Sequence, residues 1–243
     1  ADHIWSVNPD AMVIFEHLSD WDEEKVLAEH GITLWRNVNH EYRSAVTGNP
    51  GNFTNMYSTA PFGGVVGYME SHDEERNAFR QKTYGAAGVK GNLAVMMQRQ
   101  ELNAAFFLTV PGPKMIWQFG EIGYDISIEE NGRTGEKPVK TAEYLAVPQR
   151  KALYDTYAKL LKFRRENPRF FDSDANFSWN ATATIKTINC TVESKSIHVT
   201  GNFGKTTQTV NIPSGTWKDY INGGTVSGSV TLQEGEFRLL TSF

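Results

Sequence analysis

The stretch Val65-Val66-Gly67-Tyr68-Met69-Glu70-Ser71-His72-Asp73-Glu74-Glu75 joins a short apolar run to a histidine and a group of carboxylates. The apolar run is typical of a strand, whereas the residues after it are poor material for a core. Gathering acids beside an imidazole is unfavourable unless a substrate, a metal or a proton transfer offsets their repulsion. The alternative is a solvated helix start, where acids complement the helix dipole. A second apolar run, residues 12–15, ends similarly at Glu16-His17, which favours a functional site.

The composition excludes several classes of protein. The chain has 243 residues, of which 40% are hydrophobic and 21% charged, with a net charge of −4. Its longest basic cluster is the pair Arg164-Arg165, so we expect no nucleic-acid partner. Apolar runs are too short for a membrane span, and we expect none. The lone cysteine, Cys190, excludes an internal disulfide framework. The histidines outside the two runs show no metal-ligand spacing, so we expect no metal site here.

The first two thirds of the chain alternate short apolar runs with helical patterns, which is typical of βα units around a parallel sheet. We expect strands at residues 11–15, 32–35, 65–69 and 114–119. Apolar residues recur at three- and four-residue spacing over 92–108 and 150–166, which predicts two long helices. The fold class predicted for residues 1–171 is therefore α/β, with about four βα units.

The remaining residues, 172–243, have a different texture. They are rich in Thr, Val, Gly and Asn, and turn signals such as Asn222-Gly223-Gly224 recur at short intervals. Stretches such as Ser196-Ile197-His198-Val199-Thr200 alternate apolar and polar residues. This pattern predicts a separate antiparallel β-sandwich of about six to eight strands.

In parallel sheets and barrels, functional side chains gather at the carboxyl ends of the strands. Glu16 and Asp73 follow two separate predicted strands, so we expect them in one cleft, with Arg36-Asn37 and Gln118 nearby. Two carboxyl groups in one cleft suit glycoside cleavage, in which one protonates the leaving oxygen and others offset charge on the sugar.

These segments together resemble the α-amylase family of glycoside hydrolases, family 13. Residues 67–74 resemble its strand-seven motif, and Val13-Ile14-Phe15-Glu16-His17 resembles its strand-five motif. Residues 111–121 are similar to its strand-eight segment, and 150–168 to its last barrel helix. The resemblance implies strands five to eight of a TIM barrel, that is, the carboxyl-terminal half of a (β/α)8 catalytic barrel, followed by the family's C-terminal β-sandwich.

The resemblance also implies roles for particular residues. Glu16 would be the general acid/base, Asp73 would hold sugar hydroxyls and stabilise the transition state, and His72 would donate a hydrogen bond to the same sugar. His17 could orient substrate as well, although a histidine beside an acid is often only a structural hydrogen-bonding group. The flat face of Tyr124, beyond a strand end, suits a sugar contact.

The family's nucleophile is an Asp on strand four, and the fifteen residues before Glu16 contain no matching motif. We therefore expect a carboxyl-terminal fragment that is inactive alone, from an enzyme that cleaves α-1,4-glucosidic bonds in starch-like glucans. A branching or transglycosylating enzyme and a non-catalytic carbohydrate-binding fragment are the alternatives. No cofactor is expected in these residues, and the resemblance is compatible with calcium in a longer protein and with export of that protein. Open barrel edges at strands one and four predict self-association.

Overall fold

The four predicted strands form one parallel sheet. A computed structural model of the chain describes residues 1–56 and 62–243. Hydrogen bonds join the strands in chain order: β1 (Ile14–Phe15), β2 (Thr33–Asn37), β3 (Val65–Tyr68) and β4 (Lys114–Met115). All three pairings are parallel, so the carboxyl ends of the strands lie along the same edge of the sheet. The predicted half-barrel arrangement of parallel strands and helices is confirmed.

The helices of the described residues alternate with these strands and continue after them. They are α1 (Asp2–Val7), α2 (Trp21–Glu29), α3 (Asn39–Thr47), α4 (Asn77–Tyr84), α5 (Leu93–Leu108), α6 (Thr141–Leu145) and α7 (Pro148–Glu166). Asn92 caps α5, because its side chain accepts a hydrogen bond from the backbone N–H of Val95. Pro148 occupies the start of α7, where its fixed φ and missing N–H do no harm. Among the described residues, no helix combines the length and apolar character needed to cross a membrane.

Two strands are shorter than the sequence predicts. β1 covers only the last two residues of the predicted run, and β4 ends at Met115 rather than at Phe119. Phe119 adopts a left-handed conformation with φ of 66° and leads into a short 3-10 turn at Gly120–Ile122. An apolar run of this length therefore includes residues that leave the sheet to pack elsewhere.

The second part of the chain is antiparallel. Its strands are β5 (Asn176–Asn180), β6 (Ile185–Val192), β7 (Lys195–Asn202), β8 (Gln208–Asn211), β9 (Trp217–Asp219), β10 (Thr225–Val226), β11 (Ser229–Leu232) and β12 (Phe237–Thr241). A six-stranded sheet has the order β10-β9-β12-β7-β6-β5, and β8 pairs with β11. The predicted antiparallel β class is confirmed, whereas a domain boundary at residue 172 stays a prediction.

The helix α5 packs directly on the antiparallel sheet. A Cβ built on Gly201 of β7 would lie 2.4 Å from Leu102 Cδ1 and 2.6 Å from Phe106 Cε2, so only glycine permits this approach. The Phe106 and Phe203 rings lie 5.1 Å apart, and both belong to one hydrophobic cluster. Buried residues of the parallel and antiparallel parts therefore share a core.

A buried arginine connects the same two parts. The guanidinium of Arg99 on α5 donates hydrogen bonds of 3.0 and 2.8 Å to the carbonyl oxygen of Ala45. It also donates one of 3.0 Å to the carbonyl of Phe203 and forms a 2.9 Å ion pair with Glu234. Because Arg99 is only 1% exposed, these partners compensate the burial of its charge. The parallel sheet is thereby held in a fixed relation to the antiparallel one.

β1 and β4 are the outer strands of the parallel sheet. In an open half barrel, side chains meant for the barrel interior would face water, but Val13 and Val66 are buried. Phe15 is exposed, and Trp117 is half-buried. Each outer strand leaves one edge of the parallel sheet without a partner strand among the described residues.

Candidate active site

Three predicted site residues meet at the carboxyl ends of β1 and β3. Glu16 follows β1 directly, and His72 and Asp73 lie in the loop after β3. One carboxylate oxygen of Glu16, one of Asp73 and a ring nitrogen of His72 all lie within 4.8 Å of one another. We call these three residues the acid–histidine cluster. All three are exposed, so the cluster lies on an open surface.

A buried ion pair closes the base of the loop that carries His72 and Asp73. Glu70 Oε2 lies 3.1 Å from Arg76 Nη2, and both side chains are nearly inaccessible. Glu70 Oε1 also accepts a 2.6 Å hydrogen bond from the backbone N–H of Asn77, the first residue of α4. Arg76 Nη2 donates at 2.6 Å to the carbonyl of Gln118. Loop and helix start are thus anchored to the segment after β4.

The two glutamates that follow Asp73 anchor the loop on opposite sides. Glu74 accepts hydrogen bonds from Asn37, at the end of β2, and from Ser71. Glu75 accepts from the hydroxyl of Ser127 at 2.7 Å and from the backbone N–H of Ile128 at 3.1 Å. The expectation that these glutamates begin a helix is wrong, because α4 begins at Asn77. Glu70, Glu74 and Glu75 therefore anchor the loop through hydrogen bonds, and Asp73 lies at its tip.

Arg133 is a neighbour of Asp73 that the sequence interpretation missed. Its Nη2 donates 2.9 Å hydrogen bonds to Asp73 Oδ1 and to the Asp73 carbonyl. The Lys137 ammonium supports the turn around Arg133, because it donates to the carbonyls of Glu130, Gly132 and Gly135 at 2.6–2.9 Å. Sixty residues separate Arg133 from Asp73. No local sequence pattern indicates that pairing.

Tyr68 lies near the end of β3, where burial and nearby carboxylates raise the pKa of its phenol. Burial raises the pKa of its phenol to about 12, and the carboxylates of Glu74, Glu16 and Asp73 add to that rise. The ring is held by an edge contact with Trp35, at 5.9 Å between centroids. Three carboxylates therefore lie close enough to this strand end to affect the same phenol.

His17 is not a member of the acid–histidine cluster and instead contacts α2. Its Nε2 lies 2.8 Å from Glu23 Oε1 on α2. Hydrogen bonds from His17 and Ser19 hold the pKa of the Glu23 carboxyl below its ordinary value. This is the contact of a structural hydrogen-bonding histidine, and the predicted substrate contact of His17 stays a prediction.

Tyr124 requires a correction. The side chain is only 3% exposed, and its hydroxyl donates a 2.7 Å hydrogen bond to the carbonyl of Pro138. The ring packs against Phe119, with centroids 5.6 Å apart, and the Arg76 guanidinium lies 5.0 Å from its centre. With no free ring face for a sugar, Tyr124 supports the loop that carries Arg133. Trp117 is the better aromatic candidate, because it is half-buried and its ring lies 6.2 Å from that of His72.

The acid–histidine cluster does not fit calcium. Calcium takes about six to eight oxygen ligands at 2.3–2.6 Å. The cluster offers two carboxylates and one imidazole, and within residues 1–56 and 62–243 it is the one group of this kind close enough to hold an ion. Glu16 and Asp73 therefore do not form a calcium cage by themselves.

No protein-family model matches the chain, and no curated protein matches it by sequence. Solved structures do match. An Anoxybacillus α-amylase superposes with a TM-score of 0.71 and 16% identity, over 99% of this chain and 54% of that one. The pullulanase of Bacillus acidopullulyticus superposes with a TM-score of 0.71 and 18% identity, over 99% of this chain and 35% of the pullulanase. The γ-CGTase of alkalophilic Bacillus clarkii superposes with a TM-score of 0.69 and 15% identity, over 99% of this chain and 37% of the γ-CGTase.

The chain thus spans about half, or less, of the length of these matched structures. At such low identity the likeness concerns the fold. Four parallel strands with helices, followed by antiparallel sheets, correspond to the later portion of the amylase structures. Over nearly its whole length, the chain therefore has the fold of the carboxyl-terminal portion of the α-amylase family enzymes.

Proposed function

We propose that this chain provides the acid/base side of the active site of a retaining glycoside hydrolase that acts on α-1,4-linked, starch-like glucans. The observation that carries the proposal is the meeting of Glu16, His72 and Asp73 within 4.8 Å at the carboxyl ends of two parallel strands. That edge is where parallel βα folds place catalytic groups. The fold likeness to α-amylases and a pullulanase supports the substrate class.

In this proposal Glu16 protonates the leaving glycosidic oxygen and then takes a proton from the incoming water. Its carboxylate makes no hydrogen bond or ion pair with any described residue, so it is free to meet a substrate. Asp73 accepts hydrogen bonds from sugar hydroxyls and offsets the positive charge that develops on the ring. His72, 3.4 Å from Asp73, donates to the same sugar.

The anchored loop explains how an exposed site keeps its geometry. The buried pair Glu70–Arg76 fixes the two ends of the loop, and Glu74 attaches it to Asn37 on β2. A carboxylate held by its backbone can be placed accurately even when its side chain is accessible. Arg133 balances the charge of Asp73 in the absence of a ligand.

The covalent step of a retaining mechanism needs a second carboxylate on the opposite side of the sugar. We propose that this nucleophile lies outside the 243 residues, on a strand adjacent to β1. Glu16 cannot replace it, because one group cannot act as both acid and nucleophile in the same step. The 243-residue chain should therefore release almost no sugar from starch.

A second candidate is transfer of the sugar to an acceptor other than water. The matched structures include a γ-CGTase and a cyclomaltodextrin glucanotransferase, with TM-scores of 0.69 and 0.64. The same acid/base and transition-state carboxylate would serve both reactions, so the choice depends on what occupies the acceptor position. Analysis of the products formed from maltotriose by the longest natural chain that contains these residues would separate the two.

The experiment that tests the proposal on the chain itself is an NMR titration with maltotriose. We expect saturable shifts of the His72 ring and Trp117 indole signals, and their loss in Asp73→Asn. Arg169→Gln is the matched control, because Arg169 is an exposed arginine paired with two acids far from the cluster. Shifts located only elsewhere, or unchanged in Asp73→Asn, would contradict the proposal. Starch hydrolysis by the 243-residue chain would contradict the need for an outside nucleophile.

We also propose that the chain self-associates through the outer strands of its parallel sheet. β1 and β4 have no partner on one side among the described residues. Met12, just before β1, and Phe15, its last residue, are exposed apolar side chains. Analytical ultracentrifugation should show a concentration-dependent dimer or larger species, and Phe15→Lys should weaken it. A monomer at millimolar concentration would refute this proposal.

A further inference from the structure

We propose that the acid–histidine cluster binds a divalent transition-metal ion of the zinc type. A nitrogen ligand from His72 and oxygen ligands from Glu16 and Asp73 converge within 4.8 Å. Imidazole together with carboxylate is a donor set that Zn²⁺ accepts, with one coordination position left for water. The imidazole distinguishes this cluster from a simple group of surface acids, which would favour hard cations such as calcium.

The distances require only small movements. Zinc–ligand bonds of 2.0–2.2 Å place tetrahedral ligand atoms about 3.4 Å apart. His72 Nε2 and Asp73 Oδ2 are already separated by 3.4 Å. The other ligand atoms are at most 4.8 Å apart, so these separations must shrink by up to about 1.4 Å. Because all three side chains are exposed, rotation about their own side-chain bonds can supply this movement without repacking the core.

The ligand atoms are also available. Within the described part of the chain, the Glu16 carboxylate has no hydrogen bond or ion pair. The polar partner of His72 there is Asp73, a ligand of the same proposed site. Asp73 shares one oxygen with Arg133, at 2.9 Å. Arg133 is therefore the competitor of the metal, since its positive charge occupies the neighbourhood that a cation would enter.

Metal binding needs only these three side chains, so this inference goes beyond the proposed glucan chemistry and stands without it. If both are correct, zinc and a sugar would exclude each other. The bound ion would occupy the acid/base carboxylate and the groups that hold the sugar. Zinc would then inhibit any catalysis at this site, and glucan would weaken zinc binding.

Calorimetric titration of the 243-residue chain with zinc chloride tests the proposal, together with NMR of the histidine rings. We expect one saturable site and a shift of the His72 ring signals. His72→Gln should lower the affinity at least about tenfold, because it removes a direct ligand. His40→Gln is the matched control, since His40 is also exposed and lies 3.2 Å from a carboxylate of Glu41. It should change the affinity less than about twofold, because exposed pairs elsewhere add little.

Two further measurements complete the test. Arg133→Gln should increase zinc affinity, since it removes the competing charge, and Asp73→Asn should decrease it. Far-ultraviolet circular dichroism would verify that these surface variants remain folded. The absence of saturable binding, or equal affinity of His72→Gln and the unaltered chain, would overturn the proposal. Calcium binding as tight as zinc binding would overturn the assignment to transition metals. None of these outcomes depends on enzymatic turnover.

Discussion

Two carboxylates of the loop after β3 pair with arginines in opposite environments, Glu70 with Arg76 and Asp73 with Arg133. At its base, Glu70 and Arg76 are 6% and 4% exposed. At its tip, the side chains of Asp73 and Arg133 are 53% and 47% exposed, although their 2.9 Å contact is as short as that of a strong ion pair. The chemistry of the two pairs is the same. The difference lies in whether water can replace one partner when the other leaves.

This difference separates architecture from function. A buried charge that loses its partner has no solvent to compensate it, so both members of the base pair are mutually necessary. An exposed pair contributes little because water solvates either partner alone. The buried pair at the base therefore fixes the position of the loop. At the tip, a ligand can replace Arg133 with little loss of free energy. The two carboxylates, Glu70 and Asp73, belong to the same loop, so variants at its base and tip can be compared directly.

The largest expected effect is at the base. Arg76→Met should lower the free energy of unfolding by about 3–5 kcal/mol, because Glu70 is left buried and uncompensated. Arg133→Met should lower it far less, because water solvates both members of that pair. Urea denaturation monitored by circular dichroism measures both. The double variant Glu70→Met/Arg76→Met should recover part of the loss. Similar losses for Arg76→Met and Arg133→Met would remove the distinction between base and tip.

The two histidines extend the comparison to the antiparallel sheet. His72 is exposed at the loop tip, whereas His198 on β7 is 4% exposed, with Nδ1 2.7 Å from Asn189 Oδ1. Burial lowers the pKa of His198 to about 4, from an ordinary value of 6.5. The unfolded chain therefore takes up a proton at pH values where the folded chain does not. The stability that neutral His198 contributes is complete above about pH 6.5 and falls as the pH drops towards 4.

That loss should reach up to about 3 kcal/mol between pH 6.5 and 4. His198→Gln should be less stable at neutral pH but should show a flatter pH profile across this window. His40→Gln, which changes an exposed histidine, should keep the slope of the unaltered chain. The profiles come from urea denaturation at a series of pH values. An unchanged slope in His198→Gln would show that other groups determine the acid sensitivity.

A smaller effect tests the fit around the base. A Cβ on Gly120 would lie 2.9 Å from Glu70 Oε2, so Gly120→Ala must displace the carboxylate that holds the loop. We expect a loss of about 1–3 kcal/mol, as for other overpacked sites. Gly67→Ala is the control, since its nearest neighbour would lie at an ordinary 3.8 Å. Thermal unfolding measures the stability of both variants. A loss in Gly120→Ala that is no larger than the loss in Gly67→Ala would show that Glu70 moves freely.

The sequence predicts the parts of this structure that depend on regular patterns. Alternating apolar runs and helical spacing identify the parallel sheet. Parallel strands bring their carboxyl ends to the same edge of the sheet, whatever the length of the segments that connect them. This is why Glu16 and Asp73, far apart in sequence, could be expected to meet. The antiparallel part follows in the same way from alternation and turn residues.

Contacts set by irregular loops are not predictable in this way. Arg133 reaches Asp73 because Lys137 and a series of turns direct it there, and none of those turns has a pattern that names its target. Tyr124 follows a strand and carries a flat ring, yet the left-handed turn at Phe119 redirects the chain and buries it. The acidic group after β3 shows the same limit. Its glutamates suit a helix start in sequence, but their hydrogen-bond partners show that they anchor the loop.

The central claim is that Glu16 acts as the general acid/base of a glucan-cleaving site. The most direct test is Glu16→Gln in the longest natural chain that contains these residues, assayed on soluble starch alongside maltotriose binding. The matched control is Glu23→Gln, an exposed acid bonded to His17. We predict that Glu16→Gln lowers turnover at least about 10²-fold with binding nearly unchanged, because a positioned acid/base contributes at least that much. Turnover of Glu16→Gln equal to that of Glu23→Gln would contradict the account.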